Sequence, residues 1–157
     1  RPAQQGRPVN MSQVAFHLDA PDKAVYTCRL LRKAAGLGTK VLVTGERIEL
    51  EQLDGTLWCF APREFVPHCR SDAPAEVLQR SAVILASPGL PQALDMTVLV
   101  HLGGPLAIDL ERFEKVIEVV GQGEQERAEA RVRWRQYAMQ GHELTHHDAS
   151  QTGRRHD

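Results

Sequence analysis

Residues 14–44, VAFHLDAPDKAVYTCRLLRKAAGLGTKVLVT, decide the fold. Val14 to Leu18 is a short, partly β-branched run that ends at Asp19-Ala20-Pro21-Asp22. The Pro-Asp pair opens a helix, and Lys23 to Ala35 carries Ala24, Cys28, Leu31 and Ala35 at helical spacing. Gly36 and Gly38 stop that helix, and Lys40 to Thr44 (KVLVT) follows as a strand of the buried type. A helix between two strands is the crossover that lets neighbouring strands run parallel.

The same alternation continues outward. Arg47 to Leu57 reads as a second helix, weakened by Gly55, and Trp58 to Pro74 as an irregular stretch rich in proline and aromatics. Ala82 to Ala86 and Thr97 to Leu102 are core strands, while Lys115 to Val120 alternates and reads as a strand nearer an edge. Gly121 to Gly123 is a hinge before the longest helix, Glu124 to Gln140, which Gly141 ends. The expectation is one α/β sandwich around a mainly parallel central sheet, spanning residues 11–141. Residues 1–10, polar and ahead of Met11, read as a tag remnant or disordered extension, and 142–157 as a polar, frayed tail.

Composition narrows the function classes. A chain of 157 residues can bury a real core, and a formal net charge of −1 gives no global attraction to nucleic acid or an acidic membrane. Three cysteines without a CxxC pair argue against a disulfide scaffold or zinc ribbon and fit a reducing cytoplasm. No apolar run is long enough to span a bilayer, and no signal-peptide core precedes Met11.

Three motifs invite catalytic readings. Gly36-Leu37-Gly38-Thr39-Lys40 resembles a phosphate loop, but its glycines follow a helix and precede a strand, which is the order of a helix C-cap. Gly103-Gly104 does follow a strand, yet Pro105 comes next and no acidic ribose partner is evident, so a tight turn is expected. His142-Glu143-Leu144-Thr145-His146 is a literal HExxH, which on a helix would put two imidazoles on one face. It follows a helix-stopping glycine and lacks a third ligand at a protease spacing. Adventitious metal binding by His142, His146 and His147 is the better reading.

The last helix is the most informative segment. At 100° per residue Arg127, Arg131, Trp134, Arg135 and Ala138 share one side, and Glu126, Glu129, Arg133 and Gln140 the other. Arg133 has Glu129 as an i,i+4 partner, whereas Arg127–Arg131 and Arg131–Arg135 are like-charge pairs. This stack with an indole set into it suits an acidic peptide or phosphate, and equally a solvated face whose arginine stems cover apolar surface. Trp58, Phe60, Phe65, Val66 and Pro67 crowd one irregular segment in a chain of 5% aromatics. They are either a loop folded into its own core or a partly exposed docking patch.

These two segments resemble a known family. Leu57-Trp58, followed by Glu64-Phe65-Val66-Pro67-His68, is similar to the LW…xFVPH stretch of the chi subunit of bacterial DNA polymerase III. The run from Phe113 through Val120 to Gly141 resembles the same family's strand, turn and long basic helix, and the likeness extends from Met11 to about Gly141. The resemblance implies a Rossmann-like three-layer fold without a nucleotide site, and a non-catalytic adaptor of the clamp loader that requires no cofactor. It implies binding of the acidic C-terminal tail of single-stranded DNA-binding protein at Val120, Arg127, Arg131, Trp134, Arg135 and Met139. It also implies docking of the psi subunit, or of an XPD/DinG-type helicase, at Trp58, Phe65, Val66 and Pro67. Trp134 stands where the familiar pattern has Tyr, Arg127 and Arg135 where it has Lys, and the run after Gly141 departs from it.

Two hypotheses therefore stand: a peptide-binding replication adaptor with no direct nucleic-acid or membrane contact, and a nucleotide- or metal-dependent enzyme on the same scaffold. The lack of a phosphate loop, a convergent acid–base pair or a complete metal triad favours the adaptor.

Overall fold

The computed structural model describes residues 12–59, 65–91, 95–106 and 108–151. The element order is β1 (Gln13–Ala20), α1 (Lys23–Gly36), β2 (Val41–Thr44), α2 (Arg47–Cys59), β3 (His68–Arg70), α3 (Ala75–Arg80), β4 (Val83–Leu85), β5 (Val98–His101), β6 (Lys115–Gly121), α4 (Glu124–Met139) and β7 (Glu143–Asp148). The seven strands form one sheet in the order β3-β4-β2-β5-β6-β1-β7, with every pairing parallel. No helix among the described residues is long and apolar enough to cross a membrane.

Strand pleat sorts the core into two layers. Val41, Val43, Val83, Leu85, Val100 and Val119 face α1 and α2, where Leu31, Leu50, Leu53 and Leu57 bury. Val14, Phe16, Leu42, Ile84, Leu99 and Val116 face α4, with Ala130 and Tyr137, while α3 adds Leu78. A central strand covered on both faces is apolar at successive positions, which is why Val41-Leu42-Val43 reads as a continuous run before Thr44. Asp22 caps α1 by accepting from the Val25 amide at 3.2 Å. At its other end the amides of Leu37, Gly38 and Thr39 bond back to carbonyls of residues 33–35. Gly38 there has φ +78°, so the GLGTK run is a helix C-cap. Gly103 and Gly104, at φ +133° and +80°, make the expected tight turn, and a Cβ on Gly104 would lie 2.8 Å from Glu46 Cγ.

Several expectations need correction. Strand β6 is not near an edge; it lies between β5 and β1. Its polar Glu118 is fully buried, and α4 supplies donors to its carboxylate. The irregular stretch contains the short β3, and α3 follows it. Residues 143–148, expected to be frayed, form β7 and pair with β1 from Gln13↔Glu143 to Leu18↔Asp148. The expectations for residues 1–10, Phe60 and 152–157 fall outside the described residues.

Candidate functional site

Helix α4 has little apolar surface of its own; only Ala130 and Tyr137 are buried. What seats it is tertiary. Phe16 of β1 packs on Trp134 and Tyr137 with ring centroids 5.1 and 6.0 Å apart. Beneath, a buried polar row crosses the sheet: Thr44, His101 and Glu118 are register neighbours on β2, β5 and β6. His101 Nδ1 and Thr44 Oγ1 are 2.8 Å apart, and burial holds His101 below the usual imidazole range. Arg133 Nε donates to Glu118 Oε1 at 3.1 Å and the Tyr137 hydroxyl to Oε2 at 2.6 Å. Burial and then the Glu118 charge push the Tyr137 hydroxyl upward. Arg133 is thus an anchor to the sheet rather than a solvated partner of Glu129, which instead accepts from Gln125. Glu124 and Glu126 complement the helix N-terminus, and Gly141 at φ +91° ends the helix before β7.

Between α4 and strands β1, β6 and β7 lies an apolar groove of about 510 Å3. Phe16, Leu18, Val120, Ala130 and Trp134 form its floor and walls, and Asp19, Arg127, Arg131 and His146 bring charge and polarity to it. Asp19 lies within a register irregularity of β1, in the left-handed region at φ 67°, and its carboxylate accepts from Arg127 Nη2 at 3.0 Å. Arg131 is exposed, and no carboxylate among the described residues lies within ion-pairing distance of it. An apolar trough beside guanidiniums can hold a short peptide that combines an apolar side chain with carboxylates.

Of the residues expected here, the fold brings Val120, Arg127, Arg131 and Trp134 together around this groove. Val120 is only 1% exposed and serves as floor. Arg135 and the exposed Met139 extend the same helical stripe beyond the lining. Asp19, Phe16, Leu18, His146 and Ala130 were not foreseen. The alternation of Phe16 and Leu18 on β1 could have flagged two of them, and the HExxH match already held the fourth.

The second expected surface lies at the opposite side of the sheet. Trp58 at the end of α2 and Phe65 before β3 are 62% and 44% exposed. Their rings stand 5.3 Å apart, and each contacts His68, at 5.0 and 5.5 Å. Pro67 is exposed alongside. Val66 belongs elsewhere: it is buried in the α1–α2 layer and cannot present itself to a partner in this conformation. The aromatic segment is therefore part core and part exposed patch.

The catalytic readings fare differently. HExxH is not helical: His142 precedes β7 and His146 lies within it. Four extended residues hold such positions roughly 13 Å apart, too far for two imidazoles to share one metal. His142 Nδ1 instead accepts from the Ser12 amide at 3.1 Å. His146 and His147 point to opposite faces, His147 lying 4.8 Å from the ring of His17. At the carboxyl ends of β1, β5 and β6, where a doubly wound sheet would hold a nucleotide, Lys23 bonds Glu49, Glu126 and the Leu102 carbonyl. The two carboxylates stand near the starts of α2 and α4 and share the one ammonium between them.

Against known proteins, the model of the family described as DNA polymerase III chi subunit, HolC, matches residues 11–145. The DNA polymerase III subunit chi of Pseudomonas aeruginosa is 29% identical over 142 residues, covering 87% of this chain and 96% of that protein. Among solved structures, the C-terminal domain of S. cerevisiae Dbp5, in a complex with Gle1 and IP6, is similar in fold. Its TM-score is 0.55 and its identity 13%, over 92% of this chain and 93% of that one. Another structure of the C-terminal domain of the DEAD-box protein Dbp5 gives 0.52 and 12%, over 87% and 91%. At that identity the likeness concerns the fold alone. With the family's model matching residues 11–145, from just ahead of β1 to the middle of β7, the chain belongs to the DNA polymerase III chi subunit family.

Proposed function

We propose that the chain is a non-catalytic accessory subunit of the DNA polymerase III clamp-loader assembly. In this reading its α4 groove takes the acidic C-terminal tail of single-stranded DNA-binding protein. The observation that carries it is the apolar trough beside Arg127 and Arg131. A tail ending in carboxylates and phenylalanine would seat its ring against Trp134 and Phe16 and its charges against the guanidiniums. The Trp58–Phe65 patch would take psi or an XPD/DinG-type helicase. Five strand spacings separate β3 from β1, roughly 24 Å, so both partners could be held at once.

The test is titration of the full chain with a fluorescent tail peptide and with the same peptide lacking its terminal phenylalanine. The intact peptide should bind and loosen as salt rises. The shortened one should lose about 2 kcal/mol, the worth of burying one aromatic side chain. Equal affinity for both would remove the groove from the account.

A further inference from the structure

The two histidines of HExxH, unused by any catalytic reading, take separate roles. His142 holds the Ser12 amide. His146 pairs in register with Phe16, meets the Trp134 ring edge-on at 6.1 Å, and lines the groove across from α4. Resting on the tail-binding reading, we propose that His146 is an affinity-setting residue of the groove. Its protonated ring would grip a ligand carboxylate from the β7 side while Arg127 and Arg131 grip from α4.

The charged groups around it make the direction of the effect clear. From α4 come Arg127 and Arg131, and from the end of β1 comes Asp19, already engaged by Arg127. On β7 itself Asp148 follows on the same face, its Oδ1 accepting from the Ser150 amide and hydroxyl, while β6 contributes only Val120. A cationic imidazole facing two guanidiniums is repelled by them. A carboxylate laid between turns that repulsion into attraction. It favours the charged ring, so binding tightens as pH falls. His17 and His147 stand on the other face of the sheet. Burial, with His147 and Lys115, pushes His17 down to about 4, so it stays neutral meanwhile.

The experiment is fluorescence anisotropy of the full chain with a peptide of several aspartates ending in phenylalanine, at about pH 6 and about pH 8. The peptide's own carboxylates titrate well below that window. The wild type should bind roughly fivefold tighter at the lower pH. His146→Gln should lose that response, while His147→Gln keeps it. A His146→Gln protein with the wild-type pH profile overturns the proposal. So does a wild type that binds equally at both values, which leaves the groove reading intact. A wild type that binds at neither overturns both.

Discussion

Replacing Arg133 with alanine should unfold much of this protein's margin of stability, although the residue sits on the longest, most solvated helix. The Arg133 guanidinium lies 3.1 Å from a Glu118 carboxylate that is 0% exposed, and its own side chain is only 13% exposed. Without it, Glu118 keeps one donor, the Tyr137 hydroxyl, for a charge walled in by the sheet and α4. Breaking a buried pair from one side costs about 3–5 kcal/mol, because the partner is left uncompensated. For a chain of this length each kcal/mol is worth about 2–4 °C, so the melting temperature should fall by roughly 10 °C. Arg133→Met with Glu118→Met should cost less than Arg133→Ala alone, since no charge is stranded. Urea melts of the three proteins decide it. A loss below about 1 kcal/mol for Arg133→Ala, the scale of a surface pair, would refute the anchoring role.

Three further outcomes are expected. Asp19→Asn should free Arg127 and raise tail-peptide affinity roughly two- to fivefold, since asparagine tolerates the left-handed backbone there; weaker binding would show that Asp19 positions the arginine instead. Stability should fall as pH drops from 6.5 toward 4, because His17 titrates at about 4 when folded and 6.5 when unfolded, so the unfolded chain binds more protons in that window. Chemical denaturation across the range should show a shallower slope for His17→Asn. Trp58→Ala and Phe65→Ala should weaken psi or helicase capture in pull-downs and leave tail affinity unchanged, because the two surfaces lie at opposite sides of the sheet.

Most of the architecture was legible because its strands announce themselves. The runs Val41–Val43, Val83–Leu85 and Val98–Val100 lie in strands covered on both faces and so are apolar at successive positions. ELTHHD was not legible: β7 has one neighbour and mostly exposed side chains, so backbone pairing to β1 holds it and no hydrophobic pattern is needed. Arg133 was misread for a related reason. Helix-wheel spacing sees Glu129 four residues away, whereas the stronger partner is Glu118, fifteen residues off and reached only through the fold. The LW…FVPH stretch forms an exposed aromatic patch, yet one of its residues, Val66, turns inward while Phe65 and Pro67 beside it stay exposed. Arg127, Arg131 and Trp134 were legible from spacing on α4, and Val120 only through the family resemblance. Phe16, Leu18, Asp19 and His146 lie on strands whose adjacency no local pattern encodes.

The most direct measurement is tail-peptide affinity, by fluorescence anisotropy, for wild type and Arg131→Ala, paired with urea melts of both. Arg131 lines the groove, is exposed, and has Arg127 and Arg135 one turn away on either side. Losing a charge-assisted contact should cost about 1.5–3 kcal/mol of binding, or roughly tenfold to a hundredfold in affinity. Fold stability should stay level or rise by a few tenths of a kcal/mol, because two like-charge i,i+4 repulsions vanish. An Arg131→Ala protein that holds the tail as tightly as wild type would contradict the assignment of this groove.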